Sequence, residues 1–255
     1  MKINNRPLFS IATPCFNSEK TIERTIKSVL AQEFKDYEYI IVDGGSKDAT
    51  LDIVRRYEPL FEGRMRWQSE PDKGIYDAFN KGVMLSHGKY CWNVNSDDWI
   101  EKDCLTKLSE IISENTDIII GALNWVNEDG TLIRTSVFNK ERVEYAYKHD
   151  KMIPHPSTIV AKWVYDKYGV FDIRFKIAGD MDWFHRVYPK SDIKFAIIET
   201  PLNNMSIGGV STSNNTKQER KDRFLFYRKK YPSILLHYYH FLYWLLRTNI
   251  NRFRS

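Results

Sequence analysis

Residues 89–99 read KYCWNVNSDDW, an apolar stretch that ends in two adjacent aspartates. The apolar part is typical of a buried β-strand, and Asp97 and Asp98 stand where such a strand would end. Two like charges this close repel each other unless a cation or hydrogen-bond donors lie between them. The stretch therefore predicts a polar site at the carboxyl end of a strand.

The chain on both sides of this stretch alternates strand-like and helix-like segments. Strands are predicted at 8–13, 37–42, 64–69, 89–94 and 117–126, and helices at 19–33, 49–58, 75–86 and 102–114. This alternation predicts an α/β fold with a mostly parallel, Rossmann-like central sheet flanked by helices. It weakens beyond about residue 127.

Composition limits the class of protein. Of 255 residues, 42% are hydrophobic and 28% are charged, which is typical of a globular domain. The three cysteines match no zinc-binding spacing, and their small, odd number argues against a disulfide framework and favours a reducing compartment. The sequence shows no signal peptide and no run of about 18 apolar residues. We expect a cytoplasmic protein, and attachment to the inner face of the cell membrane stays open.

Three polar loops follow predicted strands: TPCFN at 13–17, DGGS at 43–46 and NSDD at 95–98. Ligands of open parallel sheets bind outside the carboxyl ends of the strands, so the loops should converge on one crevice. Each loop alone is about as well explained as a simple turn. The glycine-rich phosphate motifs are absent, whereas an aspartate pair can hold Mg²⁺ or Mn²⁺ against phosphate oxygens. The pattern predicts a metal-held nucleotide diphosphate.

Five segments in order resemble the motifs of family 2 glycosyltransferases, inverting sugar transferases of the GT-A fold. They are TPCFN, IIVDGGSKDAT, SEPDKGIYDAFNKG, GKYCWNVNSDDW and KIAGDMDWFHR, and the match runs from about residue 8 to 190. The resemblance is closest to bacterial members that build surface polysaccharides. It implies a nucleotide-sugar-binding half at 1–126, an acceptor-side half at 127–215 and a helical tail at 216–255.

The resemblance also implies the nucleotide contacts. Pro14 and Phe16 match the first nucleotide-contacting loop, and Phe16 stands where many members have Tyr. Asp43 matches the carboxylate that recognises uracil. Lys73 lies in the loop that closes beside the nucleotide. The glycine-rich segment at 206–214 resembles a loop that folds over the nucleotide when the donor binds.

The aspartate pair and a later aspartate match the metal and base positions. Ser96-Asp97-Asp98 occupies the DxD position with Ser in place of the first Asp, so Asp97 would bind ribose and Asp98 the Mg²⁺ or Mn²⁺ ion. Asp180 matches the catalytic base that takes the proton of the acceptor hydroxyl. Gly179 replaces the Glu that usually precedes it, which leaves Asp182 open as the base; a helix N-cap is the alternative role of Asp180.

The resulting expectation is a metal-dependent, inverting transfer of a sugar from a UDP donor to an acceptor hydroxyl. A nucleotidyltransferase is disfavoured because TPCFNSEK lacks a basic, glycine-rich loop. A non-catalytic nucleotide-sugar-binding module is disfavoured by the retained aspartates. His155, between two prolines, is more often structural; with Asp182 it is a candidate substrate contact.

The net positive charge of the chain is concentrated in the C-terminal tail. Residues 217–255 contain ten Lys/Arg and two acidic residues, against a net charge of +5 for the chain, and 224–244 contain nine aromatics. The apolar run is too short to span a bilayer, and basic flanks suit a membrane interface. Packing on the body or on a second subunit, as in a homodimer, is the alternative. We expect a lipid-linked saccharide acceptor and no nucleic-acid partner, since the charges form no stripe.

Overall fold

The computed structural model describes residues 6–112, 116–208, 216–231 and 233–252, with side chains up to 246. The strands are β1 Phe9–Cys15, β2 Tyr37–Asp43, β3 Met65–Ser69, β4 Tyr90–Asn93, β5 Trp99–Ile100, β6 Ile118–Val126, β7 Leu132–Ser136, β8 Thr158–Ala161 and β9 Phe195–Ser206. The helices are α1 Ile22–Leu30, α2 Thr50–Tyr57, α3 Ile75–Leu85, α4 Cys104–Ile111, α5 Lys140–Lys148, α6 Lys162–Tyr168, α7 Gly179–Val187, α8 Thr216–Lys230 and α9 Ile234–Arg252.

The described strands form one sheet in the order β3-β2-β1-β4-β8-β6-β9-β5, with β7 paired to β6. The pairings from β3 to β4 are all parallel. Strand β8 runs antiparallel to both β4 and β6. Strand β7 pairs antiparallel with β6, and β5 pairs antiparallel with β9. The predicted α/β fold is confirmed: its continuous parallel part runs from β3 to β4, and β6 and β9 also pair parallel.

Strand β1 lies at the centre of the parallel part, and all seven of its residues are buried. Strands covered on both faces bury nearly every side chain, which explains their continuous apolar sequences. Helix α3 packs on β1 with Gly82 at the contact, where a Cβ would lie 2.8 Å from the Cβ of Ala12. A larger residue at 82 would push α3, and the loop that precedes it, away from the sheet.

The loops that follow β1, β2 and β4 contact each other directly. The Ser18 and Ser96 hydroxyl oxygens lie 2.8 Å apart. The backbone amide of Asn17 donates to Ser46 Oγ at 2.8 Å, and the amide of Gly44 donates to the Cys15 carbonyl at 2.8 Å. The predicted convergence of these three loops at one sheet edge is therefore confirmed.

The basic tail forms two helices. Helix α8 packs on the body through Phe226 and Tyr227, which are fully buried. Helix α9 packs on α8, with the ring centre of Phe224 lying 5.5 Å from that of His237 and 5.3 Å from that of Phe241. No helix in the described part of the chain is long and apolar enough to cross a membrane. Packing on the body thus accounts for α8, whereas α9 keeps an exposed face.

Candidate active site

The loop after β1 presents an exposed aromatic ring at the crevice. The side chain of Phe16 is 60% exposed and lies beside Gly44, where a Cβ would be 3.3 Å from the Phe16 ring. The same Cβ position lies 2.5 Å from Oδ2 of Asp72, which places this carboxylate between the β2 loop and the ring. Pro14 is buried within β1, two residues before the ring.

Asp43, the predicted uracil ligand, is fully buried at the end of β2. Its Oδ2 accepts hydrogen bonds from the amides of Gly45 and Ser46 and from the Ser69 hydroxyl at 2.6–3.1 Å. Its Oδ1 accepts from the Ser46 hydroxyl. Burial alone would raise the pKa of Asp43, but these hydrogen bonds lower it, so the carboxylate is ionised and engaged within its own loop. Asp43 holds the loop together here.

The two aspartates after β4 differ in exposure. Asp97 is half-buried, whereas Asp98 is 1% exposed. The Asp98 carboxylate accepts hydrogen bonds from the Ser206 amide at 3.0 Å and from Asn95 Nδ2 at 3.3 Å. Burial and the neighbouring charge of Asp97 hold the pKa of Asp98 well above its usual range. The Asp98 side chain thus joins this loop to β9, and Asp97 offers the more accessible carboxylate.

Two residues of α1, Arg24 and Thr25, hold the aspartate loop and were missed in the sequence. The Arg24 guanidinium donates to the Asp97 carbonyl at 3.0 Å and stacks 3.7 Å above the Trp99 ring. The Thr25 hydroxyl lies 2.6 Å from the Asp98 carbonyl, and Thr25 is fully buried. A threonine on the otherwise apolar buried face of α1 was the available signal.

Whether the pair can hold a metal depends on what else would ligate it. Among the described residues, no group of three or more His, Cys, Asp or Glu side chains is placed to bind a metal ion. Mg²⁺ commonly binds through one or two carboxylates together with substrate phosphates and water. Asp97 and Asp98 fit a metal ion of that kind, which the donor diphosphate would help to bind. They do not fit a site in which protein side chains supply all the ligands.

The loop before α3 connects the nucleotide side to the predicted base. Lys73 has an exposed side chain, and its carbonyl accepts a hydrogen bond from Lys176 Nζ at 2.6 Å. Three residues after Lys73, the Tyr76 hydroxyl lies 3.2 Å from Asp180 Oδ1 and 2.6 Å from the Ile177 carbonyl. The segments around residues 73 and 180, which are distant in sequence, therefore border the same region.

Asp180, the second residue of α7, lies in a setting that suits a proton acceptor. Burial raises the pKa of Asp180 to about 6, although hydrogen bonds from the Met181 amide and the Tyr76 hydroxyl act to lower it. Gly179 lies under the Tyr76 ring, where a Cβ would be 2.8 Å from a ring carbon. The residue before Asp180 must therefore be glycine if Tyr76 is to reach the carboxylate.

Asp182 and His155, the two candidate substrate contacts, are placed differently. Asp182 is buried, and its oxygens pair with Lys229 at 2.7 Å and Arg186 at 3.2 Å. These contacts assign Asp182 to the packing of α8 on α7 and leave Asp180 as the candidate base. His155 packs between aromatic rings, with its ring centre 4.7 Å from that of Phe79, and burial lowers its pKa to about 4. A neutral His155 in an aromatic cluster fits the structural role.

Helix α8 reaches the base segment through Asp222, which is 1% exposed. Its Oδ2 accepts hydrogen bonds from three consecutive backbone amides, those of Lys176, Ile177 and Ala178, at 2.7–3.0 Å. Asp180 follows two residues later. A helix of the tail therefore fixes the backbone that leads into the candidate base.

Comparison with known proteins identifies the family. A family model described as glycosyl transferase family 2 matches residues 10–173, well over half of the chain. The chain belongs to glycosyltransferase family 2. A PGL/p-HBAD biosynthesis glycosyltransferase of Mycobacterium bovis is 27% identical over 185 residues, which cover 71% of this chain and 70% of the relative. The chondroitin synthase of Pasteurella multocida is 29% identical over 233 residues, 88% of this chain but 23% of that enzyme.

Solved structures support the fold. Staphylococcus aureus TarS 1-349 in complex with UDP-GlcNAc matches with a TM-score of 0.69 at 20% identity, over 91% of this chain and 69% of that one. The chain spans 41% of the longer TarS structure. The mannosyltransferase PcManGT of Pyrobaculum calidifontis, in complex with GDP-Man and Mn²⁺, matches with a TM-score of 0.64 at 14% identity. The predicted GT-A fold is confirmed.

Proposed function

We propose that this family 2 glycosyltransferase transfers a sugar from a UDP donor to an acceptor hydroxyl with inversion at the anomeric carbon, and that it serves the biosynthesis of a cell-surface polysaccharide. The observation that carries the proposal is the setting of Asp180: a half-buried carboxylate with a raised pKa, held by Tyr76 beside the nucleotide loops. A UDP donor agrees with the UDP-GlcNAc complex of TarS, although PcManGT is described with GDP-Man.

The proposed reaction requires three contributions from the chain. Asp180 accepts the proton of the acceptor hydroxyl as its oxygen attacks the anomeric carbon. The attack comes from the face opposite the diphosphate, so the new bond has inverted configuration. Asp97, the more accessible carboxylate of the pair, would hold a Mg²⁺ or Mn²⁺ ion, and that ion would supply positive charge to the diphosphate leaving group. Asp98, buried and bonded to the Ser206 amide, positions Asp97.

The acceptor is proposed from the tail. Helix α9 exposes a stripe of large apolar side chains, with Leu235 at 79%, Tyr239 at 63% and Leu246 at 64% exposure. A helix with one packed face and one exposed apolar face, in a segment with net positive charge, suits the surface of an anionic membrane. A saccharide carried on a lipid would then be presented at that surface. This proposal places the enzyme peripherally on the inner face of the cell membrane.

The test is a transfer assay on the purified chain. UDP-sugars and GDP-sugars are incubated with Mn²⁺ and extracts of lipid-linked saccharides, and donor consumption and product are followed by mass spectrometry. Transfer from a UDP-sugar, with inverted anomeric configuration by NMR, is the expected result. Retention of configuration, or transfer of the nucleotide itself, would contradict the proposal.

A further inference from the structure

Helix α8 carries its basic side chains on two different faces. Its inner face packs on the body and includes Asp222 and Phe226, which lie one turn apart and are 1% and 2% exposed. Successive residues of an α-helix are rotated by about 100°, so residues two positions from this face point to the opposite side. That side, called the outer face below, presents four exposed basic residues: Lys217, Arg220, Lys221 and Arg228.

The two faces differ in how their charges are neutralised. On the inner side, Lys229 pairs with Asp182 at 2.7 Å, and Lys230 pairs with Asp150. Among the residues that the structure describes, no carboxylate forms an ion pair with any of the four basic residues of the outer face. The outer face therefore carries positive charge that the described part of the chain does not neutralise.

Helix α9 lies on this outer side of α8. The ring of Phe224, which is on the outer face, packs 5.5 Å from the ring of His237 and 5.3 Å from that of Phe241. The Arg223 guanidinium lies 5.4 Å from the Trp244 ring, so α9 runs back along α8 toward its first turns. The exposed apolar stripe of α9 is on the other side of that helix, away from α8, and consists of Leu235, Tyr239, Leu242 and Leu246. The stripe and the outer basic residues therefore lie on one side of the molecule.

We propose that the outer face of α8 binds the phosphate groups of an anionic membrane, beside the apolar stripe of α9. The inference deepens the proposed function, on which it rests, because it names the surface that supplies the electrostatic part of membrane binding. Apolar side chains flanked by basic residues are typical of helices that lie in a membrane interface. Each Lys or Arg close to anionic lipid strengthens binding roughly fivefold. The paired charges of Lys229 and Lys230 are not available for this contact.

The outer face also adjoins the segment that leads to the candidate base. Lys221 directly precedes Asp222, whose carboxylate accepts hydrogen bonds from the backbone amides of residues 176–178. Asp180 follows two residues after that segment. A membrane bound at Lys221 therefore lies close to the part of the crevice that contains Asp180, where a lipid-linked acceptor would enter.

The experiment is co-sedimentation of the full chain with phosphatidylcholine vesicles that contain increasing amounts of phosphatidylserine. The triple variant Lys217→Gln, Arg220→Gln, Lys221→Gln should bind vesicles rich in phosphatidylserine about a hundredfold more weakly than wild type at low salt. The difference should shrink at high salt, which screens the attraction. The variant should keep its melting temperature, because the three side chains are exposed and the like charges at 217 and 221 repel each other. The matched control removes one exposed Arg and two exposed Lys elsewhere: Arg56→Gln, Lys102→Gln and Lys107→Gln.

The control separates a local surface from the net charge of the chain. We expect the control variant to bind like wild type, and we expect both variants to bind like wild type when the vesicles contain no phosphatidylserine. Equal losses in the two triple variants, or wild-type binding by the outer-face variant, would overturn the inference. The proposed transfer reaction is judged separately, by sugar transfer to an acceptor held in detergent. A chain that transfers sugar there while its outer-face variant still binds anionic vesicles normally contradicts this inference and not the proposed reaction.

Discussion

The ammonium group of Lys229 on α8 lies 2.7 Å from Oδ1 of Asp182 on α7. The Asp182 side chain is only 4% exposed, and Lys229 also lies 3.0 Å from Asp172. Asp182 is a candidate substrate contact in the sequence. Its pairing with Lys229 shows that a charge of the basic tail neutralises a buried acid of the body.

Lys229→Ala should therefore destabilise the folded chain. Loss of one partner from a buried ion pair typically costs roughly 3–5 kcal/mol, and we expect about 2 kcal/mol because Arg186 still pairs with Asp182. Arg228→Ala, which removes an exposed neighbouring charge, should change the free energy of unfolding by less than about 0.5 kcal/mol. Urea denaturation of both variants measures the difference, and equal stabilities would contradict the structural role of Lys229.

The aspartate pair gives a second prediction. Asp97→Asn should lower Mn²⁺ affinity in the presence of UDP by about tenfold or more, since it removes the accessible carboxylate, and the melting temperature should hardly change. Asp98→Asn keeps an oxygen acceptor for the Ser206 amide and removes a buried charge whose pKa is raised, so it should not lower the melting temperature at neutral pH. Electron paramagnetic resonance of free Mn²⁺ measures the affinity. Asp129→Asn on an exposed turn is the control.

The earlier prediction that Asp98 is the principal metal ligand is tested by the same titration. Normal Mn²⁺ affinity in Asp97→Asn with loss in Asp98→Asn would favour Asp98, and it would require the buried carboxylate to give up hydrogen bonds when the metal binds.

Asp180 gives a third prediction, a pH dependence of activity. A base must be ionised, and burial raises the pKa of Asp180 to about 6, so kcat/KM should fall tenfold per pH unit below about pH 6. Tyr76→Phe removes a hydroxyl that lowers this pKa and should move the midpoint upward. Asp180→Asn should lower kcat by about two orders of magnitude or more while UDP affinity is kept. A flat pH–rate profile between pH 5 and 8 would count against Asp180 as the base.

The same shift predicts a stability effect. The pKa of Asp180 is higher in the folded chain than the value of about 3.9 in an unfolded one, so folding is favoured when the carboxyl is protonated. That contribution is full below about pH 4 and is lost as the pH rises through about 6. Asp180→Asn should thus be more stable than wild type above pH 6, by up to about 3 kcal/mol, and no more stable at pH 4. Thermal melts of Asp180→Asn and wild type, at pH 4 and above pH 6, measure this difference in stability.

Much of this molecule could be predicted from the sequence, because local patterns report local structure. The continuous apolar strands and the loops that follow them identified the α/β fold and the convergence of TPCFN, DGGS and NSDD at one edge. Periodicity also located α1, although it did not single out Thr25 on the buried face of that helix. The family motifs led to Asp180, and Gly179, which departed from the motif, is explained by the Tyr76 ring.

Other features depend on which side chains meet across the fold, and the sequence does not report this. The paired charges of Lys229 and Asp182 lie 47 positions apart, and nothing local connects them. Adjacent Asp97 and Asp98 look alike in sequence and differ in burial because only one is directed to β9. The turn from parallel to antiparallel pairing at β8 also follows from long-range contacts.

Asp222 gives a fourth prediction, on positioning. Its carboxylate holds three amides of the segment before Asp180, so Asp222→Ala should let that segment move and should lower kcat about tenfold or more with a smaller change in donor KM. Asp222→Asn retains an oxygen acceptor and should recover part of the rate. Glu219→Ala on the same helix is the control. A purely structural role predicts lower stability with an unchanged kcat for the folded fraction and no difference in the pH profile.

The last prediction concerns the exposed face of α9. The basic residues just before α9 are Arg228, Lys229 and Lys230, and two of them, Lys229 and Lys230, are ion-paired with Asp182 and Asp150. Neutralising all three residues would destabilise the body of the protein, so a loss of vesicle binding could not be attributed to lost lipid contacts alone. Phe241 of α9 is also engaged within the protein, because its ring packs against Phe224 of α8.

The better variant removes apolar surface that is mostly exposed. Leu235→Ser with Leu242→Ser alters two side chains that are 79% and 55% exposed, so the fold should be unaffected. Because each buried leucine contributes roughly 1.5–3 kcal/mol, the double variant should lose about a hundredfold or more in binding to anionic phosphatidylserine vesicles. The binding of wild type should weaken with salt, since the tail is basic. Co-sedimentation at low and high salt measures both effects. The membrane proposal is contradicted if the wild type stays in the supernatant at low salt. If the wild type also forms a dimer that the double variant disrupts, the exposed face of α9 binds a second copy of the chain instead.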